Sequence, residues 1–193
     1  MIDIDAYRHR YTLTEFYRAL LPLYGSIRVL KKNRQSELVD PQFVERLMLA
    51  VTEVNGCALC SYAHTNMALD LGLSQEEIEG FLGGSNLFVK SEEARAILFA
   101  QGYAEERGHF VQERYDTLIG EYGPERAAII LASVRVMMVG NIIGLPYSAL
   151  ISRFKGKRYI NSSLLYEIGM GLAPFVLIPV TLVHRLLAKL IGR

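Results

Sequence analysis

Helix-start and helix-stop residues recur along the chain at intervals that suit helices. The Asp40-Pro41 pair joins a capping residue to the proline favoured in a first helical turn, and the helix that begins there should end at Asn55-Gly56. A following helix is predicted from Cys57 to about Leu71, with Gly72 in the left-handed stop position. No alternation of apolar and polar residues reaches the length of a strand. The sequence therefore predicts an all-α fold.

Similar boundaries predict a helix before this pair. Thr14 is the candidate cap of a first helix from residue 15 to about residue 30. Pro22 lies inside this helix, and we expect it either to kink the helix or to split it.

Three more helix starts follow on the C-terminal side. Ser74 and Glu77 have the spacing of a capping box for a short helix that ends at Gly83-Gly84. The run Ser91-Glu92-Glu93 places two acids at the positive end of another helix, and Pro124 should open a longer one.

Composition and charge limit the class of protein. The chain has 193 residues, of which 51% are hydrophobic, and its formal net charge is +1. The apolar content excludes disorder, and the balanced total charge lacks the excess of basic residues that is typical of a nucleic-acid-binding protein. The opening residues 1–5 include two acids, unlike a secretory signal, so we expect a cytoplasmic protein in a reducing setting.

The segment from Ile168 to Val183 is apolar and contains no charged residue. It is shorter than the roughly 20 residues that cross a bilayer, and its glycines and prolines predict a broken structure. We expect it to pack against the core or against another subunit. The alternative is a peripheral membrane contact, with Arg185, Lys189 and Arg193 near the lipid headgroups.

The segment that carries chemistry is Cys57-Ala58-Leu59-Cys60, followed by His64. At about 100° per residue, a helix that begins at Cys57 brings both thiols and the imidazole to one face. Two thiols in this arrangement can close a disulfide, and the helix start favours the thiolate form. His64 lies one turn after Cys60, where it can exchange a proton with that thiol.

Two carboxylates compete to orient the imidazole of His64. Glu45 lies on the preceding helix, and a fold of the two helices against each other can point its carboxylate at His64. Glu53 is closer in sequence but lies in the last turn of its helix, where we expect it to face solvent. Glu45 is therefore the predicted partner.

Two other interpretations of these residues stay open. Cys57, Cys60, His64 and Glu45 amount to four zinc ligands, although structural zinc sites normally use two Cys/His pairs or four cysteines and the chain has no second pair. Alternatively, the thiols are passive core groups of a helical interaction protein or a protein at the membrane edge.

The spacing of Glu45, Cys57, Cys60 and His64 resembles that of the AhpD-like alkylhydroperoxidase group of the carboxymuconolactone decarboxylase family. The run from Gly72 to Ile78 and an asparagine at position 141 are also similar to that family. The resemblance covers about residues 38–145. It implies one AhpD-like helical bundle over residues 1–193, with an additional apolar C-terminal helical segment.

The resemblance further implies an antioxidant enzyme, a peroxidase that works through a redox-active disulfide. In that scheme Cys60 attacks the hydroperoxide, Cys57 resolves the product as a disulfide, and His64 with Glu45 relays protons. An external dithiol then reduces the pair, and no metal or other cofactor takes part. The scheme also implies a homo-oligomer, such as a trimer or hexamer.

Two features of the motif bear on that scheme. Helix-end electrostatics alone make Cys57 the more acidic and accessible thiol, whereas the resemblance and the position of His64 favour Cys60 as the attacking one. Leu59 stands where the alkylhydroperoxidase type carries a histidine, so a polar group is absent between the cysteines.

Overall fold

The structure is a computed structural model that describes residues 6–191. Within that range the chain forms α-helices and no strand, which confirms the predicted all-α class. The helices are α1 (Leu13–Ser36), α2 (Pro41–Asn55), α3 (Ala58–Asp70), α4 (Gln75–Leu82), α5 (Ala94–Glu105), α6 (Gln112–Phe154) and α7 (Leu164–Leu190).

The predicted boundaries of α2 and α3 are confirmed. The Asp40 side chain accepts a hydrogen bond from the backbone N–H of Gln42 at 2.8 Å, and Pro41 occupies the first turn of α2. Gly56 ends that helix with a φ of 67°, a left-handed conformation that costs glycine little. The chain therefore turns sharply and begins α3 two residues later.

The predicted start of α1 is wrong by two residues. Thr12, rather than Thr14, is the cap, because its hydroxyl accepts from the backbone N–H of Glu15 while the Glu15 carboxylate accepts from the backbone N–H of Thr12. Pro22 lies inside the continuous helix, so it does not split α1.

Helix α6 is interrupted at Gly123, whose φ of 75° and ψ of 162° are not helical. Pro124 opens the second limb of α6, as its sequence position predicts. This second limb reaches Phe154 and is largely buried up to about residue 149. It packs against α1, α2, α3 and α7 and forms the central support of the fold.

The prediction that residues 168–183 are broken into pieces is wrong. Pro174 and Pro179 both lie within α7, a helix of 27 residues. Neighbouring side chains bind its backbone, since the hydroxyl of Tyr147 donates to the carbonyl oxygen of Gly171 and that of Tyr24 donates to the carbonyl oxygen of Ile178. Packing on α1 and α6 therefore supports the helix through its two prolines.

Helices α2 and α6 place the functional segment. Most of α2 is buried between α3, α4, α5 and α6, and α3 lies across α2 and the second limb of α6. The start of α3 therefore faces two rigid helices, and this is where the two cysteines lie.

Candidate cysteine-pair site

Cys57 and Cys60 form a disulfide at the start of α3, with 5.2 Å between their Cα atoms. Cys57 is the capping residue of the helix, and its sulfur accepts a hydrogen bond from the backbone N–H of Cys60 at 3.3 Å. Cys57 is 0% exposed and Cys60 is 7% exposed. The expectation from helix-end position that Cys57 is the more accessible thiol is therefore wrong, because Cys57 packs beneath the first turn.

His64 and Glu45 are brought together from different helices. The Nδ1 atom of His64 lies 2.5 Å from Oε1 of Glu45, and the side chain of Glu45 is only 3% exposed. A carboxylate can only accept a hydrogen bond, so Nδ1–H donates and Nε2 is the ring atom left to exchange a proton. Since His64 lies four residues after Cys60, the imidazole and that sulfur are neighbours on one helix face.

Arg46 holds α2 in the rotation that presents Glu45 to His64. Its buried guanidinium binds both carboxylate oxygens of Glu93 at 2.6 Å and contacts Glu77 at 3.2 Å. Burial alone lowers the pKa of Arg46, but the hydrogen bonds and charges of Glu93 and Glu77 outweigh that effect and raise the pKa. The guanidinium stays charged and ties α2 to α4 and to the start of α5.

The rival carboxylate does not reach the imidazole. Glu53 binds Arg8, with 2.9 Å between Oε1 and Nη1, and its side chain is 17% exposed. Arg8 also donates to the backbone carbonyl of Glu53 at 2.6 Å. Glu53 therefore fastens the N-terminal segment to α2. The prediction that Glu53 faces solvent did not include this contact.

The floor beneath the disulfide is a stripe of small residues on α6, namely Gly140, Gly144 and Ser148. A Cβ atom added at Gly144 would lie 2.6 Å from the sulfur of Cys60 and 2.7 Å from that of Cys57. The backbone carbonyl oxygen of Gly140 lies 3.7 Å from the Cys60 sulfur. Only glycine at position 144 lets α6 approach the sulfur atoms so closely.

Ser148 completes this floor by capping α3. Its hydroxyl accepts a hydrogen bond from the backbone N–H of Leu59 at 3.0 Å and donates to the carbonyl oxygen of Gly144 at 2.9 Å. An otherwise unpaired amide in the first turn of α3 is thereby satisfied from α6. The four-residue spacing of the small residues is visible in the sequence, and it is the signal that could have identified them.

A buried polar network lies behind the turn between α2 and α3. The Asn55 amide group donates to Oδ1 of Asn141 at 2.9 Å, and its Oδ1 accepts from the hydroxyl of Tyr11 at 2.5 Å. Asn141 in turn donates to the hydroxyl of Thr52 at 3.2 Å. Asn55 and Asn141 are both 0% exposed, so these bonds fix the turn before Cys57 against α6.

The described residues contain no group of three or more His, Cys, Asp or Glu side chains arranged to hold a metal ion. Two cavities, of about 500 and 360 Å³, are lined by other residues and include none of the four predicted site residues. At the site itself, Cys60 is 7% exposed and the side chain of His64 is 14% exposed.

The fold and site together define an all-helical protein with a cysteine pair beside a histidine–carboxylate pair. The sequence profile of the carboxymuconolactone decarboxylase family, the AhpD-like family, matches residues 15–101, so this part of the chain is similar to that family. The family includes enzymes, alkylhydroperoxidase and carboxymuconolactone decarboxylase among them. The match covers α1 to most of α5, and so begins and ends earlier than the expected range of 38–145.

No curated protein and no solved structure matches the chain. The floor residues of α6 lie beyond the matched segment. Their part in the site follows from the structure alone.

Proposed function

We propose that the protein is a thiol-dependent peroxide reductase that cycles between a dithiol and the Cys57–Cys60 disulfide. The observation that carries the proposal is this disulfide itself, with Cys60 as its less buried cysteine and the His64–Glu45 pair one turn away. The match of residues 15–101 to a family that includes alkylhydroperoxidase supports the same reaction class.

In the first step, the thiolate of Cys60 attacks the outer oxygen of a hydroperoxide. The O–O bond breaks, Cys60 becomes a sulfenic acid, and the other oxygen leaves as an alcohol after it gains a proton from His64. The imidazolium that gives this proton is stabilised by the carboxylate of Glu45, which lies 2.5 Å from Nδ1.

In the second step, the thiolate of Cys57 attacks the sulfur of Cys60, the S–O bond breaks, and the leaving hydroxide takes up a proton from solvent to become water. The product is the disulfide, and an external dithiol then returns both sulfurs to thiols by exchange. One hydroperoxide and one dithiol are therefore consumed for each alcohol and water formed. The capping position of Cys57 supports its role, because the backbone N–H of Cys60 already points at its sulfur.

A thiol count during one turnover tests the proposal. Reduced full-length protein is mixed with one equivalent of tert-butyl hydroperoxide, and free thiols are titrated before and after. We expect two thiols per chain to be lost for each peroxide consumed and to return after dihydrolipoamide is added. Thiols that stay reduced while free cysteine reacts would mean that the pair is passive.

Replacing Glu45 by glutamine should slow peroxide reduction about 100-fold, the lower range for loss of general acid–base catalysis. Glutamine keeps an oxygen that accepts from His64, but it removes the charge that stabilises the imidazolium. The measurement is the second-order rate constant for oxidation of the reduced protein by tert-butyl hydroperoxide.

Glu53→Gln is the matched control for this change. Glu53 lies on the same helix and also forms a hydrogen-bonded ion pair, but its partner is Arg8. We expect the rate constant of Glu53→Gln to stay within about twofold of the wild-type value, since the partner of Glu53 is Arg8 and not His64. Equal losses in both variants would contradict a specific role for Glu45.

A further inference from the structure

One face of α7 is exposed and entirely apolar. At about 100° per residue, its exposed large side chains fall within an arc of roughly 160°. These residues are Leu164, Leu165, Ile168, Leu172, Phe175, Val176, Val180, Leu182, Val183, Leu186, Leu187 and Leu190. An exposed apolar surface of this extent is typical of a site that contacts another protein or a membrane.

The opposite face of α7 is held by the rest of the fold. Met170, Ala173 and Thr181 are buried there, against α1 and α6. At the start of the helix, Glu167 is 0% exposed and binds the guanidinium of Arg153 at 2.6 and 2.8 Å. Although α7 is long and apolar enough to cross a bilayer, the protein covers one side of it, so only its outer face is available.

The charges in the C-terminal third of the sequence are almost all positive. Residues 126–193 contain nine Lys and Arg and a single acid, Glu167, which is buried and paired with Arg153. The near-zero total charge is therefore the sum of an acidic N-terminal part and a basic C-terminal part, which nearly cancel. The predicted headgroup contact Arg193 lies outside the described residues.

Basic side chains lie at both ends of the exposed face. Lys155, Lys157 and Arg158 are exposed in the loop that leads into α7, and Lys189 is exposed in its last turn. Arg185, one turn earlier, is half-buried and lies over the ring of Tyr24. The apolar face is thus flanked at each end by cations.

This charge pattern decides between two occupants of the face. A second copy that paired its α7 with this one, parallel or antiparallel, would place a basic end against a basic end, with no exposed acid on either helix to offset the repulsion. Anionic lipid headgroups instead complement both ends, while the acyl chains accept the apolar side chains.

We propose that the outer face of α7 binds the surface of membranes that contain anionic lipids. The helix lies in the plane of the interface, its apolar side chains enter the outer acyl region, and the flanking lysines and arginines contact headgroups. The rest of the protein stays on the aqueous side, because the inner face of α7 is packed against it.

Vesicle flotation of the full-length protein tests this proposal. Vesicles of phosphatidylcholine alone are compared with vesicles that also contain phosphatidylglycerol. We expect binding to the anionic vesicles at least about tenfold stronger, since each basic residue near such a surface adds about 1 kcal/mol, or about fivefold. Raising the salt from 0.1 to 1 M should weaken binding, because the Debye length falls from about 10 to about 3 Å.

Paired variants separate the apolar and the basic contributions. Leu172→Glu with Val176→Glu should abolish flotation, whereas Leu98→Glu, an equally exposed site on α5, should leave it unchanged. Lys155→Gln with Lys157→Gln should weaken binding about 25-fold, at about fivefold per residue. All these side chains are exposed, so the fold should survive.

Three results would overturn the proposal. Equal binding to neutral and anionic vesicles would remove the role of the basic residues, and wild-type flotation by the Leu172/Val176 double variant would remove the role of α7. If light scattering instead shows an oligomer that this double variant dissociates, while the wild type fails to float, the face is an interface between copies.

Discussion

Replacing Cys60 by serine should abolish peroxide reduction, with the rate constant falling at least about a thousandfold, as expected when a nucleophile is removed. Serine keeps the size of the side chain but offers no thiolate. The disulfide closes only a short loop, so its loss should cost little stability and the variant should fold. The measurement is hydroperoxide consumption by the reduced variant, with and without dihydrolipoamide.

Cys57→Ser is the matched variant, and we expect it to complete one turnover, whereas Cys60→Ser should complete none. Cys57→Ser keeps the attacking thiol, so it should consume one equivalent of hydroperoxide and then stop with a sulfenic acid at Cys60. A sulfenic-acid reagent and mass spectrometry should identify that product. If Cys57→Ser lost the first turnover and Cys60→Ser kept it, the assigned roles would be reversed.

Replacing Gly144 by alanine should destabilise the protein by about 3 kcal/mol, the upper range for overpacking a tight core. The added Cβ would lie 2.6 and 2.7 Å from the two sulfur atoms, which belong to a disulfide at the start of a packed helix. Neither sulfur can swing aside, so α3 or α6 must move. Urea unfolding, followed by circular dichroism, measures the change in the free energy of unfolding.

Gly120→Ala controls for the effect of alanine in a helix. Gly120 also lies on α6, but a Cβ atom there meets nothing within 4 Å. We expect this variant to gain up to about 1 kcal/mol, because alanine is the better helix former. A loss for Gly120→Ala as large as that for Gly144→Ala would show that the sulfur contact is not the cause.

Local signals were sufficient for most of the fold. The boundaries of α2 and α3 depend on capping groups and a left-handed glycine, and both can be read from neighbouring residues. The first helix shows the limit, because Thr12 and Thr14 are both good caps. Glu15 selects Thr12, and it also binds Arg107, which is distant in sequence.

The continuity of α7 could not be predicted from local signals. Two prolines within six residues favour a break when the segment is considered alone. In the fold, the inner face of the helix is buried and two tyrosine hydroxyls bind its backbone. Tertiary packing therefore outweighs the local preference, and a single sequence does not reveal that packing.

The candidate site was predictable in its reactive groups but not in its surroundings. Spacing on one helix face predicted that Cys57, Cys60 and His64 lie together, and the expected packing of α2 on α3 predicted the observed contact of Glu45, rather than Glu53, with His64. Gly144 and Ser148 were missed because they are small and lie more than 80 residues away in sequence. Their contribution is close approach and backbone capping, which have no reactive signature.

The contact between Gly144 and the sulfurs has a consequence for the matched segment, residues 15–101. A fragment that ended there would keep every group assigned to the reaction, yet it would lose the helix against which the disulfide rests. Its sulfurs would face water on the inner side, and the first turn of α3 would lack its cap. The four-residue motif therefore depends on the second limb of α6. In a protein without that helix, the motif would keep its reactive atoms, but its two sulfurs would not be buried.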